Sequence, residues 1–441
     1  MWIGVIVSMM CMIDRKIKIL IFPAGSEIGL EIYNALRYNL HLEVFGASAK
    51  SDHAGYVYDK RHYTEGSFNV NTPGFISRFN VLLKKLDIDL ILPTHDTVTL
   101  FLAKHAQQIC AKTITSPFET ALIAREKRLT YDRFKKFDFC PKIYSYPFVD
   151  VVFPVFLKPN IGEGGKKTCL VTNIQELLSN LKADKELIPC EYLPGEELSV
   201  DCFSNYGGEL IFVGPRTRER ITMGISFRSS AVALTPEIQR IAKAINSSVK
   251  IRGAWFFQIK KDKKNKWKLL EFAVRQASTM GLYRQVGINF ALLSIFDAMG
   301  VKVSILKNNY SIGLDRCLMN RYHSDLQYRR VYIDFDDTIV IGNKVNLAAV
   351  SFLYQCKNKG VRVCLLTKHV ADLADSLKRY ALAENLFDEI VVIKPNDDKC
   401  RYIKPEGAIF IDNYFFDRLK ASRKLSVPVF DVDAIESLLT D

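Results

Sequence analysis

The chain has 441 residues, and several features that would mark a whole class of protein are missing from it. Its ten cysteines form no Cys-x-x-Cys pair and no zinc-like spacing with histidine, which excludes zinc fingers and ribbons. No apolar run reaches the ~20 residues that cross a bilayer, so no membrane span is predicted. Internal repeats and low-complexity tracts are also missing. These absences favour a cytoplasmic globular protein whose cysteines are reduced core thiols.

The N-terminal stretch Met1–Met12 is apolar but short. It lacks a basic start and a small-residue cleavage site, so it does not have the pattern of a signal peptide. We expect the folded part of the chain to open near Met12.

Positive charge is in excess, with a formal net charge of +13. A basic balance raises the expectation of nucleic acid, an acidic membrane surface or anionic small molecules as partners. The cations are dispersed, however, and the densest cluster, Lys260–Lys268, contains a predicted hairpin tip at Lys263–Lys266. A solvated turn explains this cluster, so we do not expect nucleic acid as the main partner.

The first part of the chain alternates short apolar strands with helices. Strands are predicted at Lys18–Phe22, His41–Gly46 and Asp89–Leu92, and the turn Pro23–Gly29 opens the first helix. This order is typical of a small open parallel sheet. The turn lacks the third glycine of a dinucleotide-binding fingerprint, and no acidic residue stands convincingly at the end of the second strand. We therefore predict a Rossmann-like sheet without NAD.

In the middle of the chain, the predicted strands pair as hairpins joined by glycine-rich turns. Gly164 and Gly165 allow backbone amides to approach phosphate oxygens. Lys158 ends the strand before this loop, where its ammonium can neutralise phosphate charge. Gln258 and Glu271 lie at the ends of two paired strands, and such oxygen ligands hold Mg²⁺ beside phosphates. This segment therefore predicts a nucleotide-binding site.

Residues 17–300 resemble an ATP-grasp enzyme, closest in texture to carbamoyl phosphate synthetase-like and carboxylate–amine ligase-like members. The resemblance rests on four runs of this sequence: Phe153–Pro159, Gly164–Lys166, Glu191–Asp201 and Glu271–Arg275. One departure stands in the last run, where the family's usual Glu-x-Asn-Pro-Arg has Ala273 in place of Asn and Val274 in place of Pro. A methyl group cannot ligate magnesium.

The resemblance implies ATP as the nucleotide and Mg²⁺, or alternatively Mn²⁺, as the metal. Gln258 and Glu271 would hold the metal, and Arg275 would act in catalysis on the transferred phosphate. A small-molecule carboxylate would be activated as an acyl phosphate, from which an amine displaces phosphate. The chain around Glu191–Leu193 would meet the adenine, and Glu197 the ribose. The implied ATP-binding residues are Lys127, Lys158, Gly164, Gly165, Lys166, Glu191, Tyr192, Leu193 and Glu197.

Three arginines are candidates for binding an acidic substrate. Arg216, Arg218 and Arg220 alternate along an extended segment, which would put them on one face. Arginine binds carboxylates bidentately, so this face would suit a carboxylate substrate. A solvated strand edge is the alternative. Ser278 is a further candidate for the substrate pocket.

The last part of the chain carries a second pattern of chemistry. An apolar strand at Val331–Ile333 ends in Asp334 and Asp336. Two carboxylates at a strand end can share one metal, with one as nucleophile and the other as general acid/base. Further polar residues follow later apolar strands or open a later helix: Thr367, Lys399, with Lys394 as the competing lysine, and Asp412.

This order resembles the haloacid dehalogenase-like (HAD) phosphohydrolases over residues 330–441. The resemblance implies Asp334 as nucleophile and Asp336 as general acid/base. Thr367 and Lys399 would bind phosphate, and Mg²⁺ would be held by Asp334, Asp336 and Asp412. Neither interval between the motifs is long enough for a cap domain, so an open site is predicted.

We predict a protein of mixed α/β and α+β class. A Rossmann-like pre-ATP-grasp domain would span 13–125, and an ATP-grasp domain 126–306. A linker over 307–328 would lead to a capless, HAD-like Rossmannoid domain over 329–441.

The predicted function is a bifunctional biosynthetic enzyme, an ATP-dependent carboxylate–amine ligase fused to a Mg²⁺-dependent phosphohydrolase that uses an aspartyl phosphate. Its partners would be a small-molecule carboxylate, an amine, a phosphorylated metabolite and, by analogy with ATP-grasp relatives, a second copy in a homodimer. Two alternatives stay open. Ala273 motivates an inactive nucleotide-binding module that regulates a catalytic HAD phosphatase, whereas the basic charge and the open site motivate a nucleic-acid end-processing phosphatase.

Overall fold

The computed structural model describes residues 15–162, 164–222, 224–317, 319, 322 and 324–440. The predicted opening of the folded part near Met12 lies outside these residues. The chain divides into two compact units, of which the second begins at Met319. In the described part of the chain, no helix combines the length and the apolar character that crossing a bilayer requires.

The first unit opens with a five-stranded parallel sheet in the order β3-β2-β1-β4-β5. Alternate residues of the central strand enter two different core clusters, Leu20 on one face and Ile19 and Ile21 on the other. Both faces of the sheet are therefore buried. The elements are β1 (Ile17–Phe22), α1 (Glu27–Leu36), β2 (Leu42–Ser48), β3 (Tyr63–Glu65), α2 (Phe75–Leu86), β4 (Leu90–Pro93), α3 (Asp96–Lys104), β5 (Lys112–Thr113) and α4 (Phe118–Arg125).

The turn after β1 has a carboxylate packed against its glycine. A Cβ atom on Gly25 would lie 2.0 Å from Cγ of Asp52, which follows β2. The Asp52 carboxylate is held there by the backbone N–H of Ala54 and the hydroxyl of Tyr63, each donating at 3.0 Å. An anionic phosphate at this turn would meet a negative charge. Asp52 is the acid near the end of the second strand that the sequence pattern did not single out.

Two antiparallel sheets follow, one in the order β7-β6-β8 and one in the order β10-β9-β14-β15. A 3₁₀ turn over Ser278–Met280 precedes α8. The elements are α5 (Lys127–Phe134), β6 (Val155–Pro159), β7 (Cys169–Val171), α6 (Ile174–Ala183), β8 (Leu187–Glu191), β9 (Glu197–Ser204), β10 (Leu210–Thr217), β11 (Ile221–Thr222), β12 (Ile225–Ser226), β13 (Arg228–Ser230), α7 (Pro236–Ser248), β14 (Gly253–Lys261), β15 (Trp267–Ala273), α8 (Gly281–Arg284) and α9 (Phe290–Ala298).

The four-stranded sheet has two unlike faces, because successive residues of a strand point to opposite sides. Leu198 and Val200 of β9 and Phe257 of β14 lie in one core cluster with Ile241 of α7. The residues between them on the strands point to the opposite face, which carries most of the polar side chains discussed below. This face is where the strand register brings distant parts of the sequence together.

Part of the predicted linker over 307–328 packs as structure of the first unit. β16 (Gly313–Asp315) pairs antiparallel with β13. Ile312 and Leu314 pack against a core cluster of this unit, and the backbone N–H of Asn308 donates to Val286 at 2.8 Å. The few apolar side chains in a polar stretch were enough to anchor it, because β13 offers an edge to pair with.

The second unit is built on a five-stranded parallel sheet in the order β21-β20-β17-β22-β23. Its central strand again contributes to two clusters, Val331 and Ile333 to one and Tyr332 to the other. The elements are β17 (Arg330–Ile333), β18 (Val340–Ile341), β19 (Lys344–Val345), α10 (Leu347–Asn358), β20 (Arg362–Thr367), α11 (Leu373–Arg379), β21 (Glu389–Val392), β22 (Ala408–Ile411), α12 (Phe415–Leu425) and β23 (Val429–Phe430).

Candidate functional sites

A row of polar residues crosses the four-stranded sheet of the first unit. Residues directly opposite each other in antiparallel strands lie on the same face. The register pairs each of the following with its neighbour in the row: Arg216, Ser199, Gln258 and Glu271. The two predicted metal ligands, Gln258 and Glu271, are therefore adjacent on one face.

Two lysines from other elements approach the end of this row. Nζ of Lys127, at the start of α5, lies 3.6 Å from Oε2 of Glu271. The buried Lys158 donates through Nζ to the hydroxyl of Tyr131, and its Nζ lies 3.5 Å from the carbonyl oxygen of Leu270. Burial lowers the pKa of the Lys158 ammonium. An anion bound here would compensate this buried charge, which suits the phosphates of a nucleotide.

The glycine-rich loop closes against a second turn. Gly164 and Gly165 have φ of 63° and 70°, in the left-handed region that favours glycine. A Cβ on Gly224 would lie 2.2 Å from Cα of Gly164, so only glycine permits this close approach. Arg218 Nη2 donates to the carbonyl of Gly224 at 3.0 Å and holds that turn. Lys166 is exposed on the loop.

The predicted adenine-binding segment follows β8. The Glu191 side chain accepts from the backbone N–H of Lys142 at 2.8 Å, and the backbone N–H of Glu191 donates to the Lys142 carbonyl at 2.9 Å, so Glu191 fixes a neighbouring loop. Tyr192 is half-buried and Leu193 is buried. A cleft of about 1250 Å³ is lined by Glu191, Tyr192 and the lysines of the 262–268 hairpin, but not by Lys127 or Lys158. The cleft therefore adjoins the segment without including the phosphate-binding lysines.

Glu197, the predicted ribose ligand, lies between two cations. Its Oε1 is 2.7 Å from Nε of Arg218, and its Oε2 is 3.3 Å from Nζ of Lys260. A ribose hydroxyl would share this carboxylate with them. The guanidinium of Arg218, one of the three candidate substrate arginines, is thus already bound to a carboxylate of this unit.

The three candidate substrate arginines do not form one open face. Arg216 is buried and donates to both carboxylate oxygens of Asp201, at 2.7 and 3.1 Å. Arg220 lies beyond the end of β10 and pairs with Asp315. The alternation behind the prediction fails because β10 ends at Thr217. Each arginine is matched by a carboxylate of this unit, so a substrate carboxylate would have to compete with it.

Arg275 is also held by a protein carboxylate, one that the sequence pattern did not single out. Its Nε and Nη2 each donate at 2.7 Å to the two oxygens of Asp96, at the start of α3. Burial would raise the pKa of Asp96, but the attraction and hydrogen bonds of Arg275 outweigh it and lower that pKa. The sequence feature that could have revealed Asp96 is its place in the polar run that follows β4. Ser278 lies nearby in sequence, at the start of its 3₁₀ turn.

Ala273, which replaces the metal-ligating Asn of the ATP-grasp pattern, packs among apolar side chains. It lies opposite Phe256 in the strand register and packs in an apolar cluster with Met280. Glu271 and Gln258 remain as one carboxylate and one amide oxygen. This donor set fits a single Mg²⁺, which is usually held by one or two carboxylates together with substrate phosphates. In the part of the chain that is described, no three acidic, histidine or cysteine side chains gather as a metal cage.

The second unit has a compact charged cluster at the carboxyl edge of its sheet. Nζ of Lys399 donates to Asp334 Oδ1 at 2.7 Å and to Asp412 Oδ2 at 2.6 Å. We call these three residues the carboxylate–lysine cluster. All three are buried, whereas the competing Lys394 is exposed. They meet because β17 and β22 are neighbours in a parallel sheet, whose strand ends share one edge.

Burial dominates the electrostatics of this cluster. It raises the pKa of Asp334 to about 6, although the Lys399 ammonium opposes the shift. It also raises the pKa of Asp412. Burial alone would lower the pKa of Lys399, but the attraction of the two carboxylates outweighs it and raises that pKa. Two carboxylates are enough to hold Mg²⁺ beside a phosphate, so the donor set of Asp334 and Asp412 fits this cation.

Asp336, predicted as both general acid/base and metal ligand, has a different partner. Its carboxylate oxygens lie 3.0 Å from Nδ1 of His369, whose Nε2 lies 2.8 Å from Oγ of Ser376. Thr367 is fully buried, and its hydroxyl accepts from the backbone N–H of His369 at 3.2 Å. His369 was missed because a single histidine two residues after a strand end carries no pattern of its own.

A further buried acid stands beside this edge. Asp417 of α12 accepts from Nζ of Lys368 at 2.7 Å. Asp412 also accepts, through Oδ1, from the backbone N–H of Tyr414 at 2.7 Å. The bond from Lys368 to Asp417 thus joins the loop after β20 to α12, and the bond from Tyr414 to Asp412 fixes the loop after β22.

Comparison with known proteins supports the ATP-grasp part of the chain. Residues 183–313 match the family model described as ATP-grasp in the biosynthetic pathway with Ter operon. This range contains Glu191, Glu197, Gln258, Glu271 and Arg275. No curated protein matches the chain.

Three solved structures have a similar fold. N5-carboxyaminoimidazole synthetase from Staphylococcus aureus, complexed with ADP, is 15% identical with a TM-score of 0.56 and covers 67% of this chain and 81% of its own. The biotin carboxylase domain dimer of 2-oxoglutarate carboxylase from Hydrogenobacter thermophilus, with MgADP and bicarbonate, is 16% identical with a TM-score of 0.54 and covers 66% and 71%. L-amino acid ligase from Bacillus licheniformis is 17% identical with a TM-score of 0.51 and covers 67% and 76%. At these identities the likeness concerns the fold.

Proposed function

The chain contains an ATP-grasp domain, and from this premise we propose that its first unit is an ATP-dependent carboxylate–amine ligase. The observation that carries the proposal is the convergence of Lys127 and Lys158 on the row that ends in Glu271. Two ammonium groups, with a carboxylate and an amide for Mg²⁺, provide the charge balance that a triphosphate requires. ATP and Mg²⁺ are accordingly the proposed nucleotide and metal.

The proposed reaction has two steps. A carboxylate oxygen of the substrate attacks the γ-phosphorus of ATP, the bond to the β,γ-bridging oxygen breaks, and ADP leaves. The amine then attacks the acyl carbon, phosphate leaves with the bonding electrons, and the nitrogen loses a proton. Lys158 would bind the phosphates, and Arg275, positioned by Asp96, would stabilise charge on the transferred phosphoryl group.

We propose that the second unit is a HAD-like, Mg²⁺-dependent phosphohydrolase. Support comes from Lys399 bridging two buried carboxylates at the carboxyl edge of a parallel sheet. The Asp334 carboxylate attacks phosphorus and the ester oxygen leaves, taking a proton from Asp336. Water then attacks the phosphorus of the aspartyl phosphate while Asp336 accepts its proton, the bond from phosphorus to the Asp334 oxygen breaks, and inorganic phosphate leaves the regenerated carboxylate. The bound metal would neutralise charge on the phosphoryl oxygens.

The ligase is tested by ADP release from Mg-ATP in the presence of pooled amino acids or sugar acids, with hydroxylamine to trap an acyl phosphate as a hydroxamate. We expect one pool to stimulate both products and Lys158→Ala to abolish them. Asp334→Asn should keep both, and Lys84→Ala, at an exposed position of α2, is the matched lysine control. Release of phosphate from phosphomonoesters should be lost in Asp334→Asn alone.

A second candidate function is favoured by one observation, the apolar packing of Ala273 where the family carries a metal ligand. On this alternative, the first unit binds nucleotide without turnover and regulates the phosphohydrolase. ATP binding with no stimulated ADP release in any pool, together with an ATP-dependent change in phosphate release, would favour it over the ligase.

We propose small molecules as the substrates, a carboxylate and an amine for the first unit and a phosphorylated metabolite for the second. A homodimer in the cytoplasm is proposed by analogy with ATP-grasp relatives. Size-exclusion chromatography with light scattering tests the dimer, which a monomeric mass would contradict.

A further inference from the structure

The carboxylate–lysine cluster is reached across a rim with no cap. Residues 334–398 are all described, and between β17 and β20 they form the β18–β19 hairpin and α10, whereas between β20 and Lys399 they form α11, one 3₁₀ turn and β21. Neither interval holds a domain that could enclose a substrate. Recognition of whatever carries the phosphate therefore depends on side chains at the rim.

Three consecutive aromatic side chains occupy this rim. Tyr414, Phe415 and Phe416 are 54%, 57% and 56% exposed, and Tyr414 stands two residues after Asp412, which directly follows β22. The ring of Phe416 lies 5.6 Å from that of Tyr414 and 5.7 Å from that of Phe415, centroid to centroid. The rings thus form one continuous surface, which we call the aromatic rim.

The aromatic rim is tied to the cluster by hydrogen bonds. The backbone N–H of Tyr414 donates to Asp412, whose other oxygen accepts from Lys399. Arg418 donates to the backbone carbonyl of Asp412, and its guanidinium carbon lies 5.9 Å from the ring centroid of Phe415. Hydrogen bonds therefore connect the backbone of the aromatic rim to the proposed phosphate site.

Apolar side chains also stand on other loops of the same edge. Val370, one residue after His369, is 87% exposed, and Ile341 on the β18–β19 hairpin is 43% exposed. The strand order puts β20 and β22 on either side of β17, so the loops bearing Val370 and the aromatic rim flank the one that bears Asp334. Exposed apolar groups grouped around a charged centre mark a binding surface rather than scattered surface residues.

We propose that the aromatic rim binds the leaving group of a phosphomonoester that carries a flat or apolar-faced ring, so that the ring stacks on Phe415 or Phe416 while the phosphate meets Lys399. This inference rests on the proposed phosphohydrolase and names its substrate class. The ring belongs either to a nucleobase or to a sugar. Stacking of a ring on protein aromatics contributes enough binding free energy to discriminate between esters whose phosphates are bound equally well.

The test uses two phosphonates that differ only by a ring, phenylphosphonate and methylphosphonate, whose carbon–phosphorus bonds are not hydrolysed. Dissociation constants are measured by calorimetry with Mg²⁺ on the full chain. We expect phenylphosphonate to bind about tenfold more tightly than methylphosphonate in the natural protein. In the Phe415→Ser/Phe416→Ser variant this ratio should fall close to one, with the methylphosphonate constant unchanged.

The matched control is Tyr354→Ser, which removes an aromatic that is 55% exposed in the middle of α10 and should leave the ratio unchanged. Phe416→Leu, which keeps an apolar group, should retain part of the ratio. Adenosine 5′-monophosphate and glucose 6-phosphate are each compared with inorganic phosphate as competitors of phenylphosphonate. Tighter competition than by phosphate that is lost in the double serine variant identifies a base for the first ester and a sugar for the second. Competition no tighter than by phosphate for both esters, or a ratio near one in the natural protein, overturns the proposal.

The outcomes separate this proposal from the one it rests on. If both phosphonates bind equally and Asp334→Asn abolishes phosphate release, the phosphohydrolase stands and the aromatic rim has no part in recognition. If neither phosphonate binds and no ester is hydrolysed, the phosphohydrolase fails and the rim's assigned role fails with it.

Discussion

The two candidate sites distribute their charge in opposite ways. In the first unit the ion pairs are spread over several positions, as in the pairs of Arg275 with Asp96 and Arg216 with Asp201 and in Glu197, which is shared by Arg218 and Lys260. In the second unit, one lysine serves two buried carboxylates, Asp334 and Asp412. The first arrangement is a set of small separate groups, whereas the second is a single cluster with one centre.

The difference follows from strand geometry. Antiparallel strands spread functional side chains along a face, and their mutual positions depend on register, so a one-residue slip would move a whole set to the other side. Parallel strands bring their carboxyl ends to one edge, where residues after neighbouring strands meet whatever their register along the rest of the strand. We therefore expect a single substitution, at Lys399, to have the largest effect on the activity of the second site. In the first site, we expect substitutions at several residues to have smaller effects.

The largest effect is expected for Lys399→Met. Removing the ammonium leaves Asp334 and Asp412 buried against each other without a counter-charge, so phosphate release should fall by about 10³-fold. ADP release from the first unit should be unchanged. Lys394→Met, at an exposed position, is the control. Full phosphate release in Lys399→Met would show that the cluster is not the catalytic centre and would break the contrast between the sites.

Arg216→Met tests a separate pair in the first unit. It leaves Asp201 buried and unpaired, which should lower the free energy of unfolding by about 3–5 kcal/mol, whereas Asp201→Leu/Arg216→Met should recover most of the loss. Trp255 and Trp267 lie in the first unit and residues 319–441 contain no tryptophan, so the tryptophan fluorescence during urea unfolding does not report on the second unit. Arg240→Met, in an exposed pair, should change little. Equal stability of the Arg216 variant would count against a structural role for the pair.

Asp96→Asn should give a smaller loss, confined to the ligase. Without the carboxylate, Arg275 loses its bidentate partner, and misplacement of a positioning group costs about 10²-fold in turnover. The effect should appear in kcat for ADP release, with ATP affinity and phosphate release unchanged. Asp138→Asn, in the exposed pair with Arg240, is the control. A change in ATP affinity alone would place Asp96 outside the transfer step.

The smallest effect is expected at a surface pair of the second unit. The hydrogen bond from Lys424 lowers the pKa of Asp398 below its ordinary value. The folded state then binds fewer protons than the unfolded chain, so this stabilisation is present above about pH 4 and is lost as the pH falls through the folded pKa. When melting temperatures are measured from about pH 7 to about pH 2, the melting temperature of Lys424→Met should fall slightly less steeply with decreasing pH than that of the natural protein. An unchanged slope would mean that the pair does not contribute.

Much of the site could be anticipated where a functional residue follows an apolar strand. Asp334, Thr367, Lys399 and Asp412 were predicted in order along the chain, and the structure brings Asp334, Lys399 and Asp412 into direct contact. What the sequence did not reveal were the partners of two predicted residues, because those partners lie far away in sequence and have no pattern of their own. They are Asp96, which binds Arg275, and His369, which binds Asp336.

The amino-acid sequence by itself determined the alternation of strands and helices, the glycine-rich loop and the positions of the lysines and acids, because local propensity and periodicity act over a few residues. The tertiary structure decided which charges are already neutralised, that Ala273 lies in an apolar cluster, and that residues up to Arg316 belong to the first unit. These outcomes depend on burial and on pairing between distant segments. The register of the antiparallel sheet and the order of the parallel strands, rather than any local pattern, specify which side chains meet.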